Sequence, residues 1–201
     1  MKKMMLLGAL LLSAAAGYGQ ESRQDVSFSA TGLFGPEVHG AGGVQLNSTG
    51  SLGLLTSYRY MLTPHSALEL NYSFTQNQQV YKVSFNGPDG QRIHSREQEI
   101  TGAYVYSFNF KRYSPFLEAG VGGLIFTPIR DYGTQTFDTK QNTNIGGLFG
   151  GGVAYELSPS FDIRVEYRGF IVKAPDYGIA DFKTNRYEVF SIPAVGVAYH
   201  F

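Results

Sequence analysis

Phe161-Asp162-Ile163-Arg164-Val165-Glu166-Tyr167-Arg168-Gly169 decides how the whole chain is read. Phe161, Ile163, Val165 and Tyr167 fall in one row, and Asp162, Arg164, Glu166 and Arg168 in the other. An unbroken period of two is the signature of a β-strand, whose successive side chains point to opposite faces. One row is bulky and apolar; the other is fully ionisable. Two environments suit such a strand. In a soluble sandwich, the charges face water and the apolar row faces a core. In a lipid-embedded barrel, the apolar row faces acyl chains and the charges face the lumen. The rest of the sequence chooses between them.

The chain has 201 residues, the size of one domain or at most two small ones. Its 16 Lys plus Arg balance 16 Asp plus Glu, so no net charge points to nucleic acid or an acidic partner. There is no Cys, which excludes disulfides, thiolate metal sites, a catalytic thiol and a lipid-anchoring cysteine. Glycine (25), tyrosine (14) and phenylalanine (15) are abundant. Charged residues make up 16 %, against roughly 25 % in ordinary soluble domains. Met1-Lys2-Lys3 followed by the apolar run Met4 to Ala16 reads as a signal peptide, too short to span a bilayer. The expected division is residues 1–20 as a removed signal peptide, cut after Gly19 or Gln20, and residues 21–201 as the mature barrel domain. The alternative for the first segment is an anchoring helix. No later stretch approaches the roughly 18 apolar residues of a transmembrane helix, so a membrane can be crossed only by strands.

Strands then recur along the chain. Val26, Phe28 and Ala30 alternate with Ser27, Ser29 and Thr31, and residues 35–50 read as a loop. Leu52, Leu54, Thr56, Tyr58 and Tyr60 alternate with Gly53, Ser57 and Arg59. Leu68, Leu70, Tyr72 and Phe74 oppose Glu69, Asn71, Ser73 and Thr75, with a slip near Gln76 to Gln79 that predicts a bulge. Asn86-Gly87-Pro88-Asp89-Gly90 is a tight turn. The strand returning from it starts polar (Arg92, His94, Arg96) and becomes apolar from Ile100, so the two arms should stand out as a charged ribbon. Further strands pass through Leu117 to Ile125, Ile145 to Leu157, Phe161 to Arg168 and Pro193 to Phe201, with loops at 127–144 and 174–185. Turns near Pro64, Pro115 and Pro159 are short, whereas the alternate connections are long. Tyr60, Phe110, Phe116, Tyr155 and Phe161 stand near strand ends, where an interfacial aromatic girdle belongs. The prediction is an all-β chain, an eight-stranded antiparallel up-and-down transmembrane β-barrel in a bacterial outer membrane.

Tyr199-His200-Phe201, with Gly196 three before the tyrosine, resembles the terminal signal by which barrel-insertion machinery reads outer-membrane proteins. Pro115-Phe116-Leu117-Glu118-Ala119-Gly120-Val121-Gly122 and Leu157 to Tyr167 are similar to strands of OmpA-type transmembrane domains, a likeness that extends over the mature chain. The resemblance implies a small eight-stranded barrel. It also implies Gly196, Tyr199 and Phe201 as the assembly signal, and insertion machinery and periplasmic chaperones as partners. The chain stops at the barrel, so the family's peptidoglycan-binding function is not expected to carry over.

An eight-stranded barrel is just wide enough for side chains to fill its interior. Alternation places Arg59, Glu69, Glu99, Glu118, Glu156, Asp162, Arg164, Glu166, Arg168, Arg186 and Glu188 on inward faces. Lone buried charges are costly, so Arg59, Arg164 and Arg168 are expected to pair with Glu69, Glu118, Glu156 and Glu166. Such a network reads as a structural plug; the other reading is a narrow gated channel for small solutes or ions. An enzyme, the class represented by lipid A-modifying barrels, needs a nucleophile and base within reach of each other. His94 and Ser95 are neighbours on a strand and face opposite ways, while His39, His65 and His200 lie in loops or at the rim. No catalysis, cofactor or metal is therefore expected. The expected partners are outer-membrane lipid and lipopolysaccharide, with room for an extracellular protein ligand at the ribbon or at Tyr132, Phe137, Tyr177 and Phe182. These four aromatics either contact a partner or pack the loops on one another.

Overall fold

The structure is a computed structural model that describes residues 23–40, 43–82, 90–129 and 139–201. The expected signal peptide, Tyr132, Phe137 and all of the 86–90 turn except Gly90 lie outside those residues. Ten strands are formed: β1 (Gln24–Leu33), β2 (Val38–His39), β3 (Gln45–Ser48), β4 (Ser51–Thr63), β5 (Ser66–Lys82), β6 (Gln91–Ser107), β7 (Tyr113–Pro128), β8 (Asn142–Ser158), β9 (Phe161–Lys173) and β10 (Tyr187–His200). Eight of them build a wall in the order β5-β4-β1-β10-β9-β8-β7-β6, and the β5–β6 pairing closes the ring. All pairs are antiparallel. The protein is a closed eight-stranded antiparallel barrel. Closure satisfies the strand backbone without water, the condition for crossing lipid.

The period of two sorts the residues radially. On β9, Phe161, Ile163, Val165, Tyr167 and Ile171 are exposed on the outside, while Arg164, Glu166 and Arg168 are buried inside. The outward apolar row covers Phe161 to Ile171 on β9 and Val189 to Tyr199 on β10, about the 9–11 residues that tilted strands need to cross a bilayer. On β6 it begins at Ile100, with Gln98, Arg96, His94 and Arg92 on the same face above it. Short turns at 64–65, 108–112 and 159–160 share one end with both ends of the wall, where the Phe201 N–H donates to the Gln24 carbonyl (3.0 Å). The opposite strand ends, Leu33, Ser51, Lys82, Gln91, Pro128, Asn142, Lys173 and Tyr187, lie at the other.

Four local expectations are corrected. β5 is continuous and pairs with β6 without a break from Ser66↔Tyr106 to Tyr81↔Gln91, so the slip at Gln76 to Gln79 is no bulge in β5. The irregularity is on the facing side of the ladder, between β3 and β4: residues 49–52 face only 76–78 between the pairs Ser48↔Gln79 and Gly53↔Thr75. Residues 35–50 are not wholly loop, because β3 extends the wall onto β5 from Ser48↔Gln79 to Gln45↔Lys82. That pairing occupies the β5 edge, and Tyr81, Ile93 and Glu97 are buried behind it, so the two arms are wall and not a free-standing ribbon. Phe116 is not part of the outer girdle; it shares parity with Glu118 and is buried in the lumen.

Candidate functional site

Among the described residues, buried polar and apolar side chains gather in the lumen in two layers. The layer toward the short turns is ionic. Arg59 on β4 donates from Nε to Glu69 Oε2 on β5 at 2.7 Å; its Nη2 is 2.6 Å from the same oxygen but meets it obliquely. The Arg59 guanidinium lies over the Phe116 ring, 4.8 Å from its centroid, and Arg164 lies 5.9 Å from the same ring. Arg164 donates to Asp25 Oδ1 on β1 (3.2 Å), with Glu69 at 3.9 Å. Arg168 donates to Glu99 Oε1 on β6 (2.7 Å) and lies 3.5 Å from Glu118 Oε1 on β7. Thr101 and Ser73 hydroxyls donate to the two Glu99 oxygens at 3.0 and 3.2 Å. Three guanidiniums thus tie six of the eight wall strands together across the lumen, each through one hydrogen-bonded carboxylate, while both Glu118 oxygens and several guanidinium nitrogens have no hydrogen-bond partner among the described residues.

The sequence-based set of residues is therefore partly gathered here. Arg59, Glu69, Glu118, Arg164 and Arg168 meet. Glu166 is buried among them without an ion pair within 4 Å among the described residues. Glu156 is a correction: it has inward parity but stands at the short-turn rim beside Asp162 and is exposed. Arg186, also placed inward by alternation, is exposed because β10 starts only at Tyr187. Asp25 was missed, although it continues the polar row of Ser27, Ser29 and Thr31 by one more step. Of the assembly-signal residues, Tyr199 is turned outward beside Phe161 and Phe201, with ring centroids 5.1 and 6.0 Å away, while Gly196 faces inward at the β1–β10 seam.

Above the ionic layer the same inward rows turn apolar. Leu124, Phe126, Leu148, Phe170, Val172, Phe190 and Ile192 fill the lumen. Residues from the long connections lie on them: Val38 of β2, Leu46 of β3, and Val44, Tyr177 and Phe182 belong to the same buried cluster. Phe182 stacks on Tyr81 at 4.4 Å and 12°. Tyr177 sits edge-on to Tyr81 and Phe126. Of the two readings open for Tyr177 and Phe182, contact with a partner or packing of the loops, the second holds: both are buried and cap the barrel.

Polar groups inside this cap are few. The Tyr177 and Tyr81 hydroxyls donate to Gln79 Oε1 at 2.9 and 3.2 Å, the latter also reaching the Pro175 carbonyl at 2.7 Å. Gln79 Nε2 donates to Glu97 at 3.1 Å. Glu97 lies above the lipid belt, and burial pushes its carboxyl up to about 8 despite the Gln79 and Ser95 hydrogen bonds. Burial thus favours the neutral form of Glu97 inside the cap.

The histidines are scattered. His94 points outward and Ser95 is buried on the opposite face. The His65 ring Nδ1 is 3.0 Å from the Ser107 carbonyl in a short turn. His200 Nε2 is 2.8 Å from Asp162 Oδ2 at the rim. Among the described residues, no cluster of three or more His, Cys, Asp or Glu has metal-binding geometry.

Comparison with known proteins places this geometry. No curated protein matches the chain by sequence. Solved structures do match in fold. OprG of Pseudomonas aeruginosa superposes with a TM-score of 0.66 at 14 % identity, over 91 % of this chain and 98 % of that one. Neisserial surface protein A gives 0.60 at 16 % identity, over 90 % and 98 %. Ail of Yersinia pestis, solved with the heparin analogue sucrose octasulfate, gives 0.52 at 15 % identity, over 89 % and 99 %. The family profile described as outer membrane protein beta-barrel domain matches residues 4–201. The chain belongs to that family of bacterial outer-membrane β-barrels.

Proposed function

We propose that this protein is a sealed, non-catalytic outer-membrane barrel whose work is structural or is done by surface contact at its long-loop end. The single observation behind this reading is the double closure of the lumen. A solute would have to pass the Tyr81–Tyr177–Phe182 cap and then the Arg59, Arg164 and Arg168 ion pairs. The rival reading, a narrow channel, requires both to move together. Purified protein in planar bilayers is expected to show no steady conductance at neutral pH, and a stable open level in the nanosiemens range would overturn the sealed reading. The ring nitrogens of His65 and His200 meet the Ser107 carbonyl and the Asp162 carboxylate and not a hydroxyl nucleophile, which supports the non-enzymatic part. Lipid A compared by mass spectrometry with and without the protein is the check; any new acylation or deacylation product would remove it.

Two features of biogenesis complete the proposal. Residues 1–20 serve as a cleaved signal peptide, and Gly196, Tyr199 and Phe201 are read by insertion machinery after periplasmic chaperones deliver the chain. The measured mass of the membrane-inserted protein should begin at Gln20 or Glu21; a mass that includes residues 1–19 would exclude cleavage.

A further inference from the structure

The 174–186 connection, between β9 and β10, is fastened over the lumen at few points. Tyr177 is buried, yet its backbone φ of 50° is left-handed, a conformation costly to a bulky residue and kept only where packing enforces it. Gly178 (79°) continues the turn, and Asn185 (52°) makes a second one at the far end of the connection. Between these turns Phe182 lies flat on Tyr81. The Tyr177 hydroxyl begins a chain of hydrogen bonds into the lumen. It donates to Gln79 Oε1, Gln79 Nε2 donates to Glu97 Oε1, and Ser95 Oγ donates to the same Glu97 oxygen at 3.4 Å. Glu97 Oε2 has no hydrogen-bond partner among the described residues, and Glu97 is 1 % exposed. The cap thus ends on a buried carboxyl.

Among the described residues no Lys or Arg pairs with that carboxyl. The inward row of β5 offers it Thr75, Asn77 and Gln79, all uncharged. Two residues along β6 stands Glu99, whose charge Arg168 takes. β10 brings Glu188, a second buried acid with neither carboxyl oxygen hydrogen-bonded among the described residues. Both acids act on the Tyr177 hydroxyl, which burial and then these two hold well above the ordinary phenol range. The Tyr81 phenol on β5 is also raised by burial and stays neutral. The connection itself brings Asp176, which accepts from the Gly178 N–H at 2.9 Å and from Asn142 Nδ2 at 3.4 Å. A charge on Glu97 would therefore be buried near a second acid and without a counter-ion, an arrangement that protein interiors penalise.

We infer that Glu97 is a proton-operated latch on the cap: protonated, it holds the 174–186 connection down through Gln79 and Tyr177, and deprotonated, it lets the connection lift from the upper lumen. The sign follows from the two surroundings of the carboxyl. In the closed cap, burial holds it at about 8; the Gln79 and Ser95 hydrogen bonds oppose this and are outweighed. With the connection lifted, water reaches the carboxyl and it returns to the ordinary carboxylate range. The closed form therefore binds the proton more tightly. Each pH unit above the ordinary range favours the lifted form by up to about tenfold, until Glu97 ionises in the closed form as well, near pH 8. The mouth is thus held shut in acid and loosened in mild alkali. The ionic layer beneath takes no part, so the latch is independent of whether the lumen conducts.

The chain has no tryptophan, so Phe182→Trp places a single indole in the cap, where Phe182 stacks on Tyr81. Iodide quenching of that indole is followed from pH 6 to pH 9.5 in the full chain refolded into lipid vesicles. The quenching constant is expected to rise at least about threefold across the range, as the lifted form gains on the closed one. With Glu97→Gln added, the indole should stay as protected at pH 9.5 as at pH 6. A quenching constant that does not change with pH would overturn the latch. An equal rise with Glu97→Gln would also overturn it, since another group would then be titrating. Trypsin cleavage of the wild type after the exposed Lys183 gives the same reading without a substitution in the cap. Normalised at each pH to cleavage of a free peptide of the same sequence, it should rise in parallel, and a flat ratio contradicts the proposal. Gel mobility with and without boiling confirms that the barrel is folded at each pH.

Discussion

Replacing Arg168 with methionine is expected to lower the barrel's unfolding free energy by about 3–5 kcal/mol, the cost of leaving buried charge without its partner. The effect should be this large because Arg168 is wholly buried and serves two strands at once, Glu99 on β6 and Glu118 on β7. Methionine keeps most of the volume, so the loss reports charge and not a cavity. The complementary expectation is that Arg168→Met combined with Glu99→Gln and Glu118→Gln recovers most of the stability, since the orphaned carboxylates are gone. Urea unfolding in lipid vesicles, followed by gel mobility, measures both. A single variant as stable as the wild type would show that the lumen pairs do not hold the wall.

The second large effect concerns the seam. Gly196 lies where β10 meets β1, paired with Ser29. A Cβ there would sit 2.5 Å from Ser29 Cα and would overlap the Phe28 carbonyl oxygen, which is backbone and cannot yield. Gly196→Val is therefore expected to prevent the β1–β10 ladder from forming, and with it ring closure. Gly102 on β6 supplies the contrast: a Cβ there meets nothing within 4 Å, so Gly102→Val should fold. Refolding into detergent, where no insertion machinery is present, separates two roles. Failure of Gly196→Val in detergent assigns the glycine to backbone spacing. Normal refolding in detergent with failure in cells would assign it to the assembly signal alone.

What the sequence disclosed, and what it did not, follows from what alternation can carry. β9 was legible because both of its rows are chemically extreme; Arg164 and Arg168 could only face inward once Val165 and Tyr167 faced lipid. Parity fixes the side of the wall but not the height along it. Glu156 has the parity of a lumen residue but stands at the rim, and Asp25 lies one step before the apolar row that drew the eye. Phe116 was assigned outward from its nearness to a strand end, although its parity with Glu118 already placed it inside. The apolar upper layer was present in the row itself, where Arg164, Glu166 and Arg168 are followed by Phe170 and Val172. What alternation could not supply was the fate of the loops. Nothing periodic says that Tyr177 and Phe182 fold back over the barrel mouth, since that contact joins residues far apart in the chain. The bulge at 49–52 escaped for a related reason: its cause is the register of two strands, and its sequence reads as an ordinary Asn-Ser-Thr-Gly turn.

The central claim is radial: apolar rows look out at acyl chains and ionic rows look in. The chain has no cysteine, so single cysteines can be introduced one at a time along β9 and labelled with an environment-sensitive fluorophore. In vesicles, labels at Ile163, Val165 and Tyr167 are expected to be quenched by brominated lipid and protected from aqueous iodide. Labels at those three positions quenched by iodide and untouched by brominated lipid would contradict the account.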